Sequence, residues 1–354
     1  MRASTVSRTK VLALPRTAPL RAVLALATLM HLTVDGVCAA NLARYALAEP
    51  RLAPILFHFG LYTLVAFGGQ WAAGWWLDRR PAHITPAFVL APLLLAAGSL
   101  TGFGIAWQAV LLGLGNCLFH AAGGALVLRS TRSFGEPGLF VSSGAVGLAL
   151  GLNSLCGVGV FMLLCLITGA TLAALLHVRG LPEVARHDAA LEAVATPLMA
   201  LAALLLLACV VLRGANGGGA ASDYVLLFPC VFALGKVLGG LCGDRLGYQN
   251  TALLIFLLGF VALQGEGLAP ALLLALAWNM TMPLTLRLLH RARPGQPGLM
   301  FGLAAGCLLP GYFFREHLSV LPTLLLVLQF LALTLAGWLL LPRRAAAAAP
   351  CPST

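Results

Sequence analysis

The chain has 354 residues, of which 60% are hydrophobic and only 9% charged, with a mean hydropathy of +0.95. A water-facing domain carries charge on roughly 25% of its residues, so most of this chain must have lipid as its solvent. The net charge of +11 does not indicate nucleic acid, because the basic residues lie in short loops between apolar runs, without a basic face or interleaved aromatics.

A helix needs about 20 apolar residues to cross the hydrocarbon core, and runs of that length give twelve expected spans. The first half has Leu20–Leu42, Pro54–Leu77, Ile84–Gly102, Ala106–Leu128, Gly138–Cys156 and Gly157–His177. Basic residues from Arg2 to Arg21 precede the first run in the manner of a signal peptide. That run is longer than an ordinary signal core and contains His31 and Asp35, so it is read as a retained membrane helix. Only Gly157 separates the fifth and sixth spans. A polar stretch, Arg179 to Glu192, follows. The second half has Ala193–Leu212, Tyr224–Gly243, Asn250–Leu268, Ala269–Leu289, Gly298–Phe314 and Ser319–Leu341. The expected units are a tail over 1–19, a six-helix bundle over 20–177, a cytoplasmic linker over 178–192, a second six-helix bundle over 193–341, and a tail over 342–354.

Loop charges orient the spans, since Lys and Arg favour the cytoplasmic side. One side collects the N-terminal basic residues, Arg79, Arg80, Arg129, Arg132, Arg179, Arg186, Arg245, Arg287, Arg291, Arg293, Arg343 and Arg344. The other is left with Arg44, Arg51, Arg213 and Arg315. This alternation needs an even number of spans and puts both termini in the cytoplasm, in a multi-pass protein of the cell's inner membrane.

The halves repeat. Leu128-Arg129 followed by Glu136-Pro137-Gly138-Leu139-Phe140 recurs as Leu286-Arg287 followed by Gln296-Pro297-Gly298-Leu299-Met300. Gly74-Trp75-Trp76-Leu77-Asp78-Arg79-Arg80 is echoed by Gly240-Leu241-Cys242-Gly243-Asp244-Arg245 after the second span of the other half. A glycine there allows close helix approach, and an Asp at a helix end can meet an Arg or a neighbouring helix N-terminus. Parallel six-helix repeats build the major facilitator fold. The expected fold class is therefore an all-α membrane protein of two six-helix bundles, with Gly74, Asp78, Arg79, Asp244 and Arg245 as gating-loop residues.

Polar groups inside spans are costly, about 2.5 kcal/mol or more for a charge at mid-membrane, and so point to function. His31 and Asp35 are four apart and share a helix face, as do Asn116 and His120. Counting about 1.5 Å per residue puts all four at overlapping depths, with Asn279 at a comparable place in the tenth span. Asp35 is the one acidic residue deep within a span, and a His–Asp pair there can take up and release a proton. Lys236 in the eighth span can neutralise an anionic substrate group, pair with Asp35, or snorkel to the interface. His58 and Gln70 rank lower. Trp71, Trp75 and Trp76 read as interfacial anchors, and Gly144, Gly147 and Gly151 as a close-packing face. The nine cysteines contain no C-x-x-C pair and read as packing residues, with no metal site.

Four segments occur in order: His31-Leu-Thr-Val-Asp35, Gly74-x-x-x-Asp78-Arg79, Gly113-Leu-Gly-Asn-Cys-Leu-Phe119-His120, and Gly138-Leu-Phe-Val-Ser-Ser-Gly-Ala-Val-Gly147. Together they resemble the fosmidomycin-resistance-like branch of the major facilitator superfamily, over roughly residues 25 to 155. The chain departs from that branch after His120, where Ala121-Ala122 stands in place of Pro-Glu. The resemblance implies a proton-driven carrier, typically an exporter, with the first, fourth, seventh and tenth helices around a central cavity. The expected function is secondary transport by alternating access, with His31, Asp35, Asn116, His120, Asn279 and Lys236 on the substrate and proton pathway. The expected partners are a small-molecule substrate, protons and the lipid bilayer, for a monomer that needs no cofactor and binds no nucleic acid. A non-transporting sensor or assembly partner on the same scaffold is the main alternative. A lipid-modifying enzyme is the lesser one, because no H-x4-D, H-E-x-x-H or G-x-S-x-G pattern is present.

Overall fold

A computed structural model describes residues 19–100, 104–181, 196–216, 225–318 and 321–341. The expected tails, most of the linker from Glu183 to Glu192, and Arg343 and Arg344 lie outside these residues. All regular structure among the described residues is helical. Counting π and 3-10 turns into the helices they continue, the rods are α1 (Leu20–Ala48), α2 (Leu52–Arg79), α3 (Pro81–Ser99), α4 (Ile105–Ser130), α5 (Gly135–Leu152) and α6 (Val158–Arg179). The second half continues with α7 (Thr196–Asn216), α8 (Leu227–Arg245), α9 (Tyr248–Ala262), α10 (Leu268–Ala292), α11 (Pro297–Phe313) and α12 (Pro322–Leu340). Nine of these, among the described residues, are long and apolar enough to cross a membrane. The shorter apolar α9 and α11, and α5, fall outside that set.

Local chemistry explains the breaks. A π-helical turn over Leu64–Gly68, ending on the first of two consecutive glycines, interrupts α2 before its second part. Pro92 and Pro283 sit inside α3 and α10. The fifth and sixth expected spans do separate, but earlier than Gly157 alone would dictate: α5 ends at Leu152, and Ser154 turns through a positive φ of 54°.

The packing repeats between halves. In the first, α1 packs on α5 and α6, α3 on α4 and α6, and α2 on α4. In the second, α7 packs on α11 and α12, α9 on α10 and α12, and α8 on α10. The halves meet where the second part of α2 crosses α11 and where α5 crosses α8, two crossings that exchange under the repeat. Large apolar side chains face outward on many helices, among them Trp107, Leu163, Leu204 and Leu331. Lipid is the solvent that tolerates such a surface, since each helix satisfies its own backbone. The most enclosed of the nine spans are α4, α10 and α1, with 78%, 72% and 56% of their apolar windows buried against 17–39% for the rest. Those are three of the four helices expected around a central cavity.

At the end of the bundle where Arg79, Arg129, Arg245 and Arg287 gather, two carboxylates join the halves. Asp78, closing α2, accepts hydrogen bonds from the backbone N–H of Gly298 (3.0 Å) and Leu299 (2.8 Å) at the start of α11. It also takes one from Arg129 (3.0 Å). Asp244, closing α8, accepts the N–H of Phe134 (2.7 Å) and Gly135 (2.8 Å) at the start of α5. Unpaired N–H groups and the positive end of the helix dipole make a helix start a natural partner for a carboxylate. Gly74 is required here, because any side chain on it would strike the backbone of Gly298. Arg79 takes no part, lying over the Trp75 ring (3.7 Å), and Arg245 is exposed.

Candidate functional site

The middle of the bundle holds a cavity of about 140 Å³ whose walls come from both halves. From the first half it is lined by His31 and Asp35 of α1, Phe67 and Gln70 of α2, His120 of α4, and Val141, Gly144 and Ala145 of α5. From the second it is lined by Arg213 of α7, Lys236 of α8, Met282 and Leu286 of α10, and four residues of α11. Helices one, four, seven and ten all contribute.

The i,i+4 pairs of α1 and α4 converge. His31 Nε2 lies 3.4 Å from Asp35 Oδ2, and His120 Nε2 lies 3.6 Å from Asp35 Oδ1. Asn116 Nδ2 donates to Asp35 Oδ1 (3.2 Å). The two imidazoles meet edge to face with their Nε2 atoms 2.9 Å apart. Glycine makes room for this, because a Cβ on Gly144 would fall onto Asp35 Oδ2 and His31 Nε2, while Gly147 and Gly151 let α5 ride directly on the α1 backbone.

Hydrogen-bond valence limits which ring nitrogens can donate. His31 Nδ1 contacts the Phe140 carbonyl at 2.7 Å, and His120 Nδ1 contacts the Asn116 carbonyl at 2.9 Å. Carbonyl oxygens only accept, so both Nδ1 atoms donate. In two neutral rings both Nε2 atoms would then be bare acceptors, facing each other and a carboxylate. A proton placed between the two Nε2 atoms would satisfy both, and the Asp35 carboxylate beside them would balance its charge. The same three side chains present one ligand atom each within 4.8 Å of one another, a set that a divalent cation could also use.

The remaining candidates divide. Lys236 reaches the cavity and donates to the Val141 carbonyl across the interface between halves (3.1 Å). Gln70 also lines it, with its amide nitrogen on the Ala66 carbonyl and its oxygen unpartnered. Asn279 does not arrive: its amide donates to the Ala275 carbonyl of its own helix, and its Cβ packs against Gly235 of α8. His58 stacks on Tyr45 (4.2 Å) away from the cavity. Arg213 corrects the loop reading outright. It lies within α7, is 5% exposed, and borders the cavity with one guanidinium nitrogen unpartnered. Helical side chains lean toward their own N-terminus, so from near the end of α7 the arginine reaches back into the bundle.

No family model matches the chain, and no curated protein matches it. Its fold matches solved structures over nearly their whole length. One is a bacterial homologue of the iron transporter ferroportin in an outward-facing state, with TM-score 0.51 and 14% identity over 90% of this chain and 98% of that one. Another is the Escherichia coli fucose:proton symporter FucP, with TM-score 0.54 and 13% identity over 90% and 98%. A third, FucP as a major facilitator superfamily transporter in the outward conformation, gives TM-score 0.59 and 13% identity over 89% and 97%. The fold is that of the major facilitator transporters. At such identities the likeness concerns architecture and leaves substrate and coupling to the site itself.

Proposed function

We propose that the protein is a proton-coupled secondary transporter that moves a small molecule across the inner membrane by alternating access. The observation that carries this reading is the 2.9 Å contact between His31 Nε2 and His120 Nε2 beside the Asp35 carboxylate, in a cavity walled by both halves. Such a cluster stores one proton, and its charge changes when the proton leaves. It borders the space a substrate would enter, so proton and substrate occupancy are coupled electrostatically. In this reading all the rods cross the bilayer, both termini are cytoplasmic, and the arginine-rich end faces the cytoplasm. The Asp78 and Asp244 contacts then close the cytoplasmic gate, and transport requires the two halves to rock apart there. The resemblance through His31, Asp35 and His120 favours export, and the carrier in this reading works as a monomer.

A second reading, divalent-cation transport, is raised by the His31–Asp35–His120 ligand geometry. Lys236 and Arg213 on the same cavity oppose it, since unneutralised positive charge repels a cation in a low dielectric.

The decisive test uses purified protein in liposomes loaded with a pH-sensitive dye and screened against metabolites. A transported compound should move protons with the wild type, and Asp35→Asn should abolish that movement while the compound still binds. Undiminished proton movement through Asp35→Asn would sink the coupling. Nitrogen-15 NMR of labelled histidine should show one imidazolium shared between two rings, and two neutral rings would remove the basis for it.

A further inference from the structure

The charges around the cavity do not balance. On the side of the second half stand Lys236, with a single protein acceptor at Val141, and Arg213, whose Nη1 has none. Opposite them Asp35 is the one lining carboxylate among the described residues, and Asn116, His31 and His120 already surround it. Neither cation forms an ion pair with Asp35 among the described residues. Arg213 and Lys236 thus set two positive groups against the one carboxylate of the lining. Unpaired charge away from water is costly and is kept where something arrives to neutralise it.

We infer that the substrate is a small organic anion whose acidic group is bound by Arg213 and Lys236; this rests on the transporter reading above. The guanidinium presents a planar fork of donors suited to a carboxylate or phosphate oxygen pair, and the ammonium adds a point charge. The rest of the lining is mostly apolar: Phe67, Val141, Met282, Leu286, Phe301 and Leu308. At about 140 Å³ the space is well below the roughly 300–1,000 Å³ that accommodates drug-sized ligands. The fitting substrate is therefore a compact acid with a short apolar body, set by its charge on the cations of α7 and α8. A monoanion offsets one of the two positive charges of the second half and a dianion both, while a proton on the His31–His120 pair offsets Asp35 in the first half. Binding of anion and proton thus favour each other.

The test measures thermal stabilisation of the purified, detergent-solubilised wild type by four sets of compounds at equal ionic strength. These are small monocarboxylates and dicarboxylates, inorganic phosphate with alkylphosphonates, neutral polyols and sugars, and divalent nickel or zinc. The expected result is that at least one acid raises the melting temperature in a saturable way, and the two acid sets decide between carboxylate and phosphorus oxyanion. The apparent affinity should fall by about ten- to a hundredfold in Arg213→Gln and in Lys236→Gln, with part retained in Arg213→Lys. Stabilisation by polyols or by the divalent cations and by no acid would overturn the inference from the wild type alone, whatever the variants do. Acid binding insensitive to both substitutions would overturn it as well. Asp35→Asn separates the two claims: it should still bind the acid. If the acid binds at Arg213 but moves no protons in liposomes, the anion site stands and the coupling reading falls.

Discussion

The two halves share one pattern of helix contacts, yet they hold the charged groups of the cavity differently. In the first half the members of the cluster are held by one another: His31 by the Phe140 carbonyl, His120 by the Asn116 carbonyl, and Asp35 by Asn116 and both rings. In the second half Lys236 holds one carbonyl and Arg213 leaves a nitrogen with nothing. The charged groups of the first half are thus enclosed by partners, although Asn116 Oδ1 and Gln70 Oε1 have none, whereas the cations of the second half keep open donors. In the proposed reading one repeated scaffold carries a proton store in one half and a receiver of charge in the other.

The two carboxylate contacts that join the halves offer the largest way to break the symmetry between them. Asp78 is 3% exposed in its side chain and serves two helix-start N–H groups and Arg129. Asp78→Ala strands Arg129 and the start of α11, and removing one partner of a buried pair costs about 3–5 kcal/mol. Asp244 serves only the N–H groups of Phe134 and Gly135, on a less enclosed site. Asp244→Ala should therefore cost less, about 1–3 kcal/mol. Both variants should shift the protein toward opening at the arginine-rich end, and Asp78→Ala should do so further. Spin-label distances across α2–α11 and α5–α8 measure this. Equal shifts, or none, would mean that the carboxylates decorate a gate closed by packing alone.

Next in size is Gly144→Ala. The added methyl meets Asp35 Oδ2 and His31 Nε2, so the cluster must part while the second half is untouched. Overpacking of this kind costs about 1–3 kcal/mol. The shared imidazolium signal should vanish, and proton movement should fall, with acid binding at Arg213 preserved. Loss of acid binding in step with the proton signal would show that the halves are less separable than their hydrogen bonds imply.

Much of this was legible in the sequence, and its gaps have a physical pattern. Spacing of four residues places His31 with Asp35 and Asn116 with His120 on single faces, and counting from helix ends gives their depth. Asp78 and Asp244 announce themselves by repeating after the second span of each half. Rotation about a helix axis is harder to read, because it depends on which neighbour the helix packs against. Asn279 has suitable depth but turns toward Gly235. Arg213 failed for a different reason. A charge near the end of an apolar run looks like a loop residue, and only the lean of helical side chains toward the N-terminus reveals that it points inward. Gly144 was visible as a packing glycine, but nothing in the sequence says that its missing side chain is the room for Asp35.

The smallest effect sharpens the comparison most directly, because it sets one asparagine of each half against the other. Asn116→Ala removes the donor to Asp35 Oδ1, a hydrogen bond to a charged group worth about 1.5–3 kcal/mol. With one donor fewer the carboxylate leans more on the two imidazoles, and the pH dependence of proton movement should depart from that of the wild type. Asn279→Ala removes only a bond to the Ala275 carbonyl, which already lies within its helix, and should change stability by less than about 1 kcal/mol. Its pH profile should superimpose on that of the wild type. A shifted profile for Asn279→Ala would mean that α10 rotates its asparagine into the cavity during the cycle, giving the second half a polar contact with the substrate beyond its two cations.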